Sequence, residues 1–343
     1  MKNNNYWYFI CLLLGAIACG LPHKMGIFPA YFPPTQYDFK QNPLQKHKVL
    51  LGRILFYDPI LSKDNSISCA SCHSPYNAFA HTDHSLSHGI NDQIGTRNAP
   101  ALMNLAWQQA MMWDGAIQHL DMQALAPISH PKEMASDIGQ VVAKLQHTPL
   151  YPPLFAQAFG DSTISGENVL KALAQFQLTL VSANAKYDSV MRHQSVFNEQ
   201  EQRGYQLFKQ HCAVCHSEPL FSTYGFANNG LPIDTALRDY GKMAISKNSA
   251  DSLKFKIPTL RNWLFTAPYM HDGRFKKIGE VLNHYSHNIQ QSPTLAAVLQ
   301  KGIALTAKEK VDITVFLMTL NDKHFVFNPD LAFPKAILPA KKP

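Results

Sequence analysis

Cys69-Ala70-Ser71-Cys72-His73 and Cys212-Ala213-Val214-Cys215-His216 follow one pattern, Cys-x-x-Cys-His. Two thiols on one turn can bond to the two vinyl groups of a single porphyrin, and the imidazole that follows then falls beneath the iron. The spacing therefore predicts two covalently bound c-type haems, held by Cys69, Cys72, Cys212 and Cys215, with His73 and His216 as iron ligands. Paired Cys-x-x-Cys motifs can also build a tetrahedral zinc site or a redox dithiol. Against both, the two histidines lie 143 positions apart and each pair carries its histidine at the same offset.

Four of the six cysteines are used by these motifs, and the other two, Cys11 and Cys19, lie in an amino-terminal segment. Lys2 followed by a mostly apolar stretch from Tyr6 to Ala18 reads as a secretory signal over residues 1–18, too short for a membrane span. Ala16-Ile17-Ala18 fits signal-peptidase cleavage, and with Cys19 it also approximates a lipobox, which would anchor the protein through a lipidated Cys19. Covalent haem attachment in bacteria takes place outside the cytoplasmic membrane, so a periplasmic location is expected.

The elements that must position the motifs are helical. Residues 19–44, rich in proline and aromatics, read as an extended tether or strap. A helix is expected over Gln45–Tyr57 and another from Ser165 to Leu180. Asn198 with Glu201, and Thr306 with Glu309, make capping boxes for helices on either side of the second motif. A helix leading into the motif and one closing behind it is the layout of a cytochrome c domain. The fold class is thus all-α, with two cytochrome c-like domains at 45–192 and 193–328, a tail at 329–343, and no internal repeat beyond the haem motif. With 343 residues and 46% hydrophobic content, two cores can be built. The formal charge of +7 comes without a Lys/Arg run, so no nucleic-acid partner is expected.

Further phrases carry a resemblance. Leu51-Gly52-Arg53-Ile54-Leu55-Phe56-Tyr57-Asp58, Gly95-Thr96-Arg97-Asn98-Ala99-Pro100, Trp113-Asp114-Gly115, Pro258-Thr259-Leu260-Arg261-Asn262 and Ala267-Pro268-Tyr269-Met270-His271-Asp272-Gly273 stand in order. From about Leu50 to Leu320 the chain resembles the bacterial dihaem cytochrome c peroxidases and their relative, the methylamine dehydrogenase maturation enzyme MauG. The resemblance implies a peroxide-binding first haem and an electron-transfer second haem, with Trp113 relaying between them. It places Gln123 and Glu133 beside the peroxide, Gln123 to orient it and Glu133 to move a proton between its oxygens. It also implies Ca²⁺ between the domains, on Asn98, Thr266 and Pro268.

Two positions depart from the peroxidase pattern. Where peroxidases place a methionine as distal ligand of the second haem, this chain has Tyr285, as MauG does; His284, His287 or Met270 are the alternatives. A phenolate favours ferric iron where thioether sulfur favours ferrous. The loop after the first motif holds His81, His84 and His88, and only His88 stands near the position of the histidine that caps the peroxide haem in resting peroxidases. The three could instead bind a transition metal or be solvated. The leading expectation is a peroxidase that reduces hydrogen peroxide with electrons from a small cytochrome c or copper protein. The alternatives are a MauG-like enzyme that oxidises residues of a protein substrate, and a dihaem electron carrier without enzymatic activity. The resemblance also implies a homodimer.

Overall fold

In a computed structural model, which describes residues 28–338, helices carry the fold. In chain order they are α1 (Lys46–Tyr57), α2 (Cys69–Cys72), α3 (Leu120–Gln123), α4 (Leu125–Ser129), α5 (Ile138–His147), α6 (Tyr151–Phe159), α7 (Gly166–Leu178), α8 (Lys186–Met191), α9 (Glu199–His211), α10 (Met243–Ser246), α11 (Ile278–His287), α12 (Ala307–Met318) and α13 (Lys323–Val326). One antiparallel ladder pairs β1 (Phe226–Ala227) with β2 (Phe255–Lys256), Phe226 opposite Lys256. The expected signal segment, with Cys11 and Cys19, lies outside the described residues. Among the described residues, no helix is long and apolar enough to cross a membrane.

Two helix crossings organise two apolar cores. Ser165 caps α7 through the Asn168 N–H, and α1 ends where Asp58 turns extended before Pro59. These helices cross at Gly52, where a Cβ would stand 1.9 Å from the Ala172 carbonyl oxygen. Four residues on, Phe56 meets Phe176 with ring centroids 5.2 Å apart. In the second core both capping boxes form, on α9 and α12, and these helices cross at Gly204, whose Cβ would stand 1.9 Å from the Asp312 carbonyl oxygen. Four residues on again, Phe208 meets Phe316 at 5.1 Å.

Both ends of the chain close on the first core. Phe28 and Phe32 pack on Trp107, whose Nε1 donates to the Pro33 carbonyl at 2.7 Å, so the proline-rich segment is a strap. Tyr31 donates to Asp188, which holds the wholly buried Arg261 through two hydrogen bonds of 2.7 and 2.9 Å. The segment read as a tail is part of the fold as far as Leu338. Leu331 and Leu338 are buried in the first core, the Leu331 carbonyl accepts from Tyr57, and Arg53 donates to Ala332. Apolar burial, not a run of charge, decides that placement.

The structure also contains an internal repeat that the sequence reading did not find. Asn104 and Asn262, both in the left-handed region, open matching turns and donate their backbone N–H to Leu180 and Leu320, which follow the two closing helices. Met112 and Met270 share positive φ angles of 67° and 76°, followed by Asp-Gly hairpins at Asp114-Gly115 and Asp272-Gly273. Each pair is 158 positions apart. The two copies join by one hydrogen bond made twice: Asn98 N–H to the His271 carbonyl and Lys256 N–H to the Trp113 carbonyl, each 2.7 Å. These donors, and these acceptors, are again 158 positions apart, as across a two-fold axis.

The crossings set a test of stability. Gly204→Ala forces α9 from α12 and should cost about 1–3 kcal/mol, the scale of overpacking. Calorimetry of the haem-loaded protein should show a lowered midpoint, whereas Gly160→Ala, with no atom within 4 Å of the added Cβ but a φ of +84°, reports backbone strain alone.

Candidate dihaem active site

Each proximal histidine is held by the backbone. His73 Nδ1 donates to the Phe79 carbonyl at 2.8 Å. His216 Nδ1 faces the Pro258 carbonyl at 3.1 Å and that of Phe221 at 3.3 Å. A carbonyl only accepts, so the proton sits on Nδ1 and the lone pair on Nε2, the form in which imidazole binds a metal. Burial pushes both rings down to about 4, which keeps them neutral at neutral pH. Burial also pushes the thiols of Cys69 and Cys212 up to about 12 and that of Cys72 to about 11. All four cysteines are free. The donors therefore fit covalently attached haem: two free thiols and a preset imidazole at each motif.

Above the first motif, Glu133 is half-buried and burial raises its carboxyl above the ordinary value of 4.5, opposed by His130 at 3.9 Å. Its charge also raises the Cys72 thiol, which puts the carboxyl within electrostatic reach of the haem motif. Gln123, at the end of α3, points its Nε2 toward Met112 Sδ at 4.0 Å. The histidine loop lies against Glu133: Ile90 N–H donates to the Glu133 carbonyl at 2.8 Å, and a Cβ on Gly89 would stand 2.5 Å from Glu133 Cα. The His88 carbonyl accepts from Cys72, while its ring binds Asp92 at 2.7 Å and stacks on His84 at 3.9 Å. The ring thus faces Asp92 in this structure. Among the described residues no group of three or more His, Cys, Asp or Glu side chains is arranged to hold a metal ion, so the three loop histidines form no such site.

Trp113 is buried between the repeats, its Nε1 donating to the Asn98 carbonyl at 2.9 Å. Arg97 pins the next residue, Asp114, and reaches Asp239 in the second half, both at 2.6 Å. Beside it, Lys256 is buried on Gln108 at 2.7 Å, and desolvation pushes its ammonium down to about 8. Asn98 donates its side-chain amide to Ser85 and its backbone N–H to His271, which sets it against the turn carrying Thr266 and Pro268. Among the described residues no backbone N–H donates to the Thr266 or Pro268 carbonyl.

Near the second motif Tyr285 is half-buried, within electrostatic reach of both cysteines. Burial, and the nearby Cys215 and Cys212, push its phenol up to about 12, while Asn229 lowers it. Asn229 Nδ2 stands 3.5 Å from Tyr285 Oη and 3.5 Å from Met270 Sδ. His284 is buried and its Nε2 is committed to the Asn229 carbonyl at 3.0 Å; His287 is exposed. Sequence reasoning missed Phe79, Phe221, Asn229 and Lys256. A comparison of the chain with itself at an offset of 158 would have pointed to the region, since Pro100, Asn104, Met112, Asp114 and Gly115 recur as Pro258, Asn262, Met270, Asp272 and Gly273.

This geometry is that of a dihaem cytochrome, and comparison with known proteins agrees. The di-haem cytochrome c peroxidase family matches residues 46–196. The methylamine utilization protein MauG of Methylorubrum extorquens is 38% identical over 291 residues, 82% of this chain and 80% of that protein. The cytochrome c551 peroxidase of Nitrosomonas europaea is 34% identical over 294 residues, 84% of this chain and 82% of that protein. The crystal structure of a MauG-like protein associated with microbial copper homeostasis superposes with a TM-score of 0.82 at 30% identity, covering 90% of this chain and 98% of that one. The chain belongs to the family of bacterial dihaem cytochrome c peroxidases and MauG, and it is a peroxide-dependent oxidoreductase.

The raised carboxyl of Glu133 sets a pH test. A base acts only when ionised, and a raised value means that protonation begins at higher pH, so the acid limb of kcat/KM for peroxide should lie above 4.5. Glu133→Gln should abolish that limb and slow peroxide consumption by roughly a hundredfold, the scale of a positioned acid-base group. A limb that persists in the variant belongs to another group.

Proposed function

We propose that this protein reduces hydrogen peroxide to water at a haem on Cys69, Cys72 and His73, with electrons delivered by a small cytochrome c or copper protein through a haem on Cys212, Cys215 and His216. The observation that supports the reading is the half-buried carboxyl of Glu133 on a backbone bonded to Ile90, in the same loop whose His88 carbonyl accepts from Cys72 of the first motif. When bound, the haems supply an iron that accepts peroxide and two centres that exchange single electrons. The residues supply the rest. Glu133 would take the proton from the inner peroxide oxygen and return it to the outer one, which departs as water as the O–O bond breaks. The inner oxygen would leave as a second water once the electron donor has supplied two electrons and the solvent two protons. Gln123 holds the peroxide in line by hydrogen bonding. Trp113 carries electrons between the halves, and a Ca²⁺ on Asn98, Thr266 and Pro268 keeps the two repeats in register. The two cores are read as two haem domains. An exported, periplasmic protein suits covalent haem, and the lipid anchor on Cys19 and a homodimer are parts of the same proposal.

Tyr285 favours a second reading. With a phenolate at the second haem, the enzyme would react with peroxide while fully oxidised, as a MauG-like oxidant of residues in a protein substrate. The 38% identity to a MauG supports it.

Two experiments bear on these readings. His73→Ala should abolish peroxide turnover while the second haem stays attached and keeps its spectrum, because each motif loads separately; retained turnover would reverse the assignment of the haems. Stopped-flow mixing of the ferric protein with peroxide separates the two enzyme readings. The phenolate reading expects immediate reaction, and Tyr285→Met should then raise the potential of the second haem and give a His/Met spectrum. Ferric protein that stays inert until one haem is reduced, with potentials unmoved by the substitution, removes Tyr285 as a ligand.

A further inference from the structure

Asn229 stands between Tyr285 and Met270, two of the groups named above as candidate ligands of the second haem. Its amide nitrogen has two hydrogens, and Tyr285 Oη and Met270 Sδ each lie 3.5 Å away, the long limit of such a bond. The orientation of the amide is fixed from behind, because Leu231 N–H donates to Oδ1 at 3.3 Å and leaves Nδ2 toward the site. The backbone of the same residue anchors α11, since its carbonyl accepts from His284 Nε2 at 3.0 Å, one position before Tyr285. Asn229 therefore fixes both where Tyr285 stands and what its oxygen meets.

The first half contains the same pairing. Gln123 aims its amide nitrogen at the sulfur of Met112, and Met112 is the repeat partner of Met270. One amide thus meets one methionine sulfur in each half, although Gln123 and Asn229 come from unrelated segments. At the first motif the amide faces the site proposed for peroxide. At the second it faces a phenol.

We propose that Asn229 is the hydrogen-bond donor that tunes Tyr285 as distal ligand of the second haem, an inference that rests on the ligation by Tyr285 proposed above. A donor to a phenolate oxygen makes a charge-assisted bond, shorter and stronger than that to a neutral phenol, and draws electron density from the oxygen. Sulfur is a weak acceptor, so the amide is drawn from Met270 toward the oxygen once the phenol ionises on the iron. The iron then receives less charge, and its potential settles above that of an unassisted phenolate and below that of a thioether.

The test uses the protein loaded with both haems and reads the phenolate-to-iron charge-transfer band and the midpoint potential of the second haem. Asn229→Leu removes the donor at similar size. Asn229→Asp removes it while keeping an acceptor for Leu231 N–H, so one variant preserves the turn. Both should move the band to longer wavelength and lower the potential by about the equivalent of a tenfold change in the ferric-to-ferrous ratio, 59 mV for one electron. Tyr285→Phe is the control for ligation. If it abolishes the band while both Asn229 variants leave band and potential unmoved, Asn229 does not tune the ligand and the proposal falls alone. If Tyr285→Phe changes neither band nor potential, Tyr285 is not a ligand and both readings fall together.

Discussion

The hydrogen bond from each proximal imidazole to a backbone carbonyl is the constraint on which the two cores depend. Phe79 and Phe221 turn their carbonyls to His73 and His216 by adopting φ angles of 59° and 53°, a region costly for any residue with a Cβ. The strain persists because the rings of these same residues are locked in aromatic triads. Phe79 packs on Phe56 and Phe176, and Phe221 on Phe208 and Phe316, with centroids 5.3–6.2 Å apart. Those partners sit at the helix crossings, which close only because Gly52 and Gly204 lack a Cβ. Imidazole orientation, aromatic packing and helix approach are therefore one mechanical unit, built twice.

Where the two copies agree they build structure, and where they diverge they build chemistry. The matched hairpins share Met, Asp and Gly, but Trp113 in the first copy stands where His271 stands in the second, each accepting the other copy's backbone hydrogen bond. Asn98 answers to Lys256 in the same way. The join between halves is thus symmetric in its backbone and asymmetric in its side chains, with an oxidisable indole on one side and, beside it, a buried ammonium without a directly bonded carboxylate. The distal sides diverge likewise, one toward a carboxylate and one toward a phenol.

Legibility in the sequence followed the same division. The two haem motifs, the three capped helices and the helix over Gln45–Tyr57 could be read because thiol spacing, cap residues and apolar period all write themselves into residue type. The hairpin repeat could not. Beside Gly115 and Gly273, its left-handed positions are occupied by Met and Asn, and carbonyls that hold an imidazole leave no trace in side-chain identity. The carboxyl-terminal segment was read as a tail because Leu331 and Leu338 are too sparse to make a periodic pattern, yet each finds a place in the first core. The roles given to Gln123, Glu133 and Trp113 came from resemblance; geometry adds burial and direction to each.

The join between the halves and the histidine loop are both tied to their surroundings, by different bonds. The join between the halves is tied by paired backbone bonds, by Arg97 between Asp114 and Asp239, and by the buried Asp188–Arg261 pair, whose disruption would leave an uncompensated charge at about 3–5 kcal/mol. The loop carrying His81, His84 and His88 has only Asp83 and His84 exposed, and it is tied to the rest by Cys72 on the His88 carbonyl, Asn98 on the Ser85 carbonyl and Ile90 on the Glu133 carbonyl. Nor is it independent of the chemistry. Gly89 lies so close to Glu133, and Ile90 bonds so directly to the Glu133 carbonyl, that displacement of the loop must carry the backbone of the catalytic carboxylate with it.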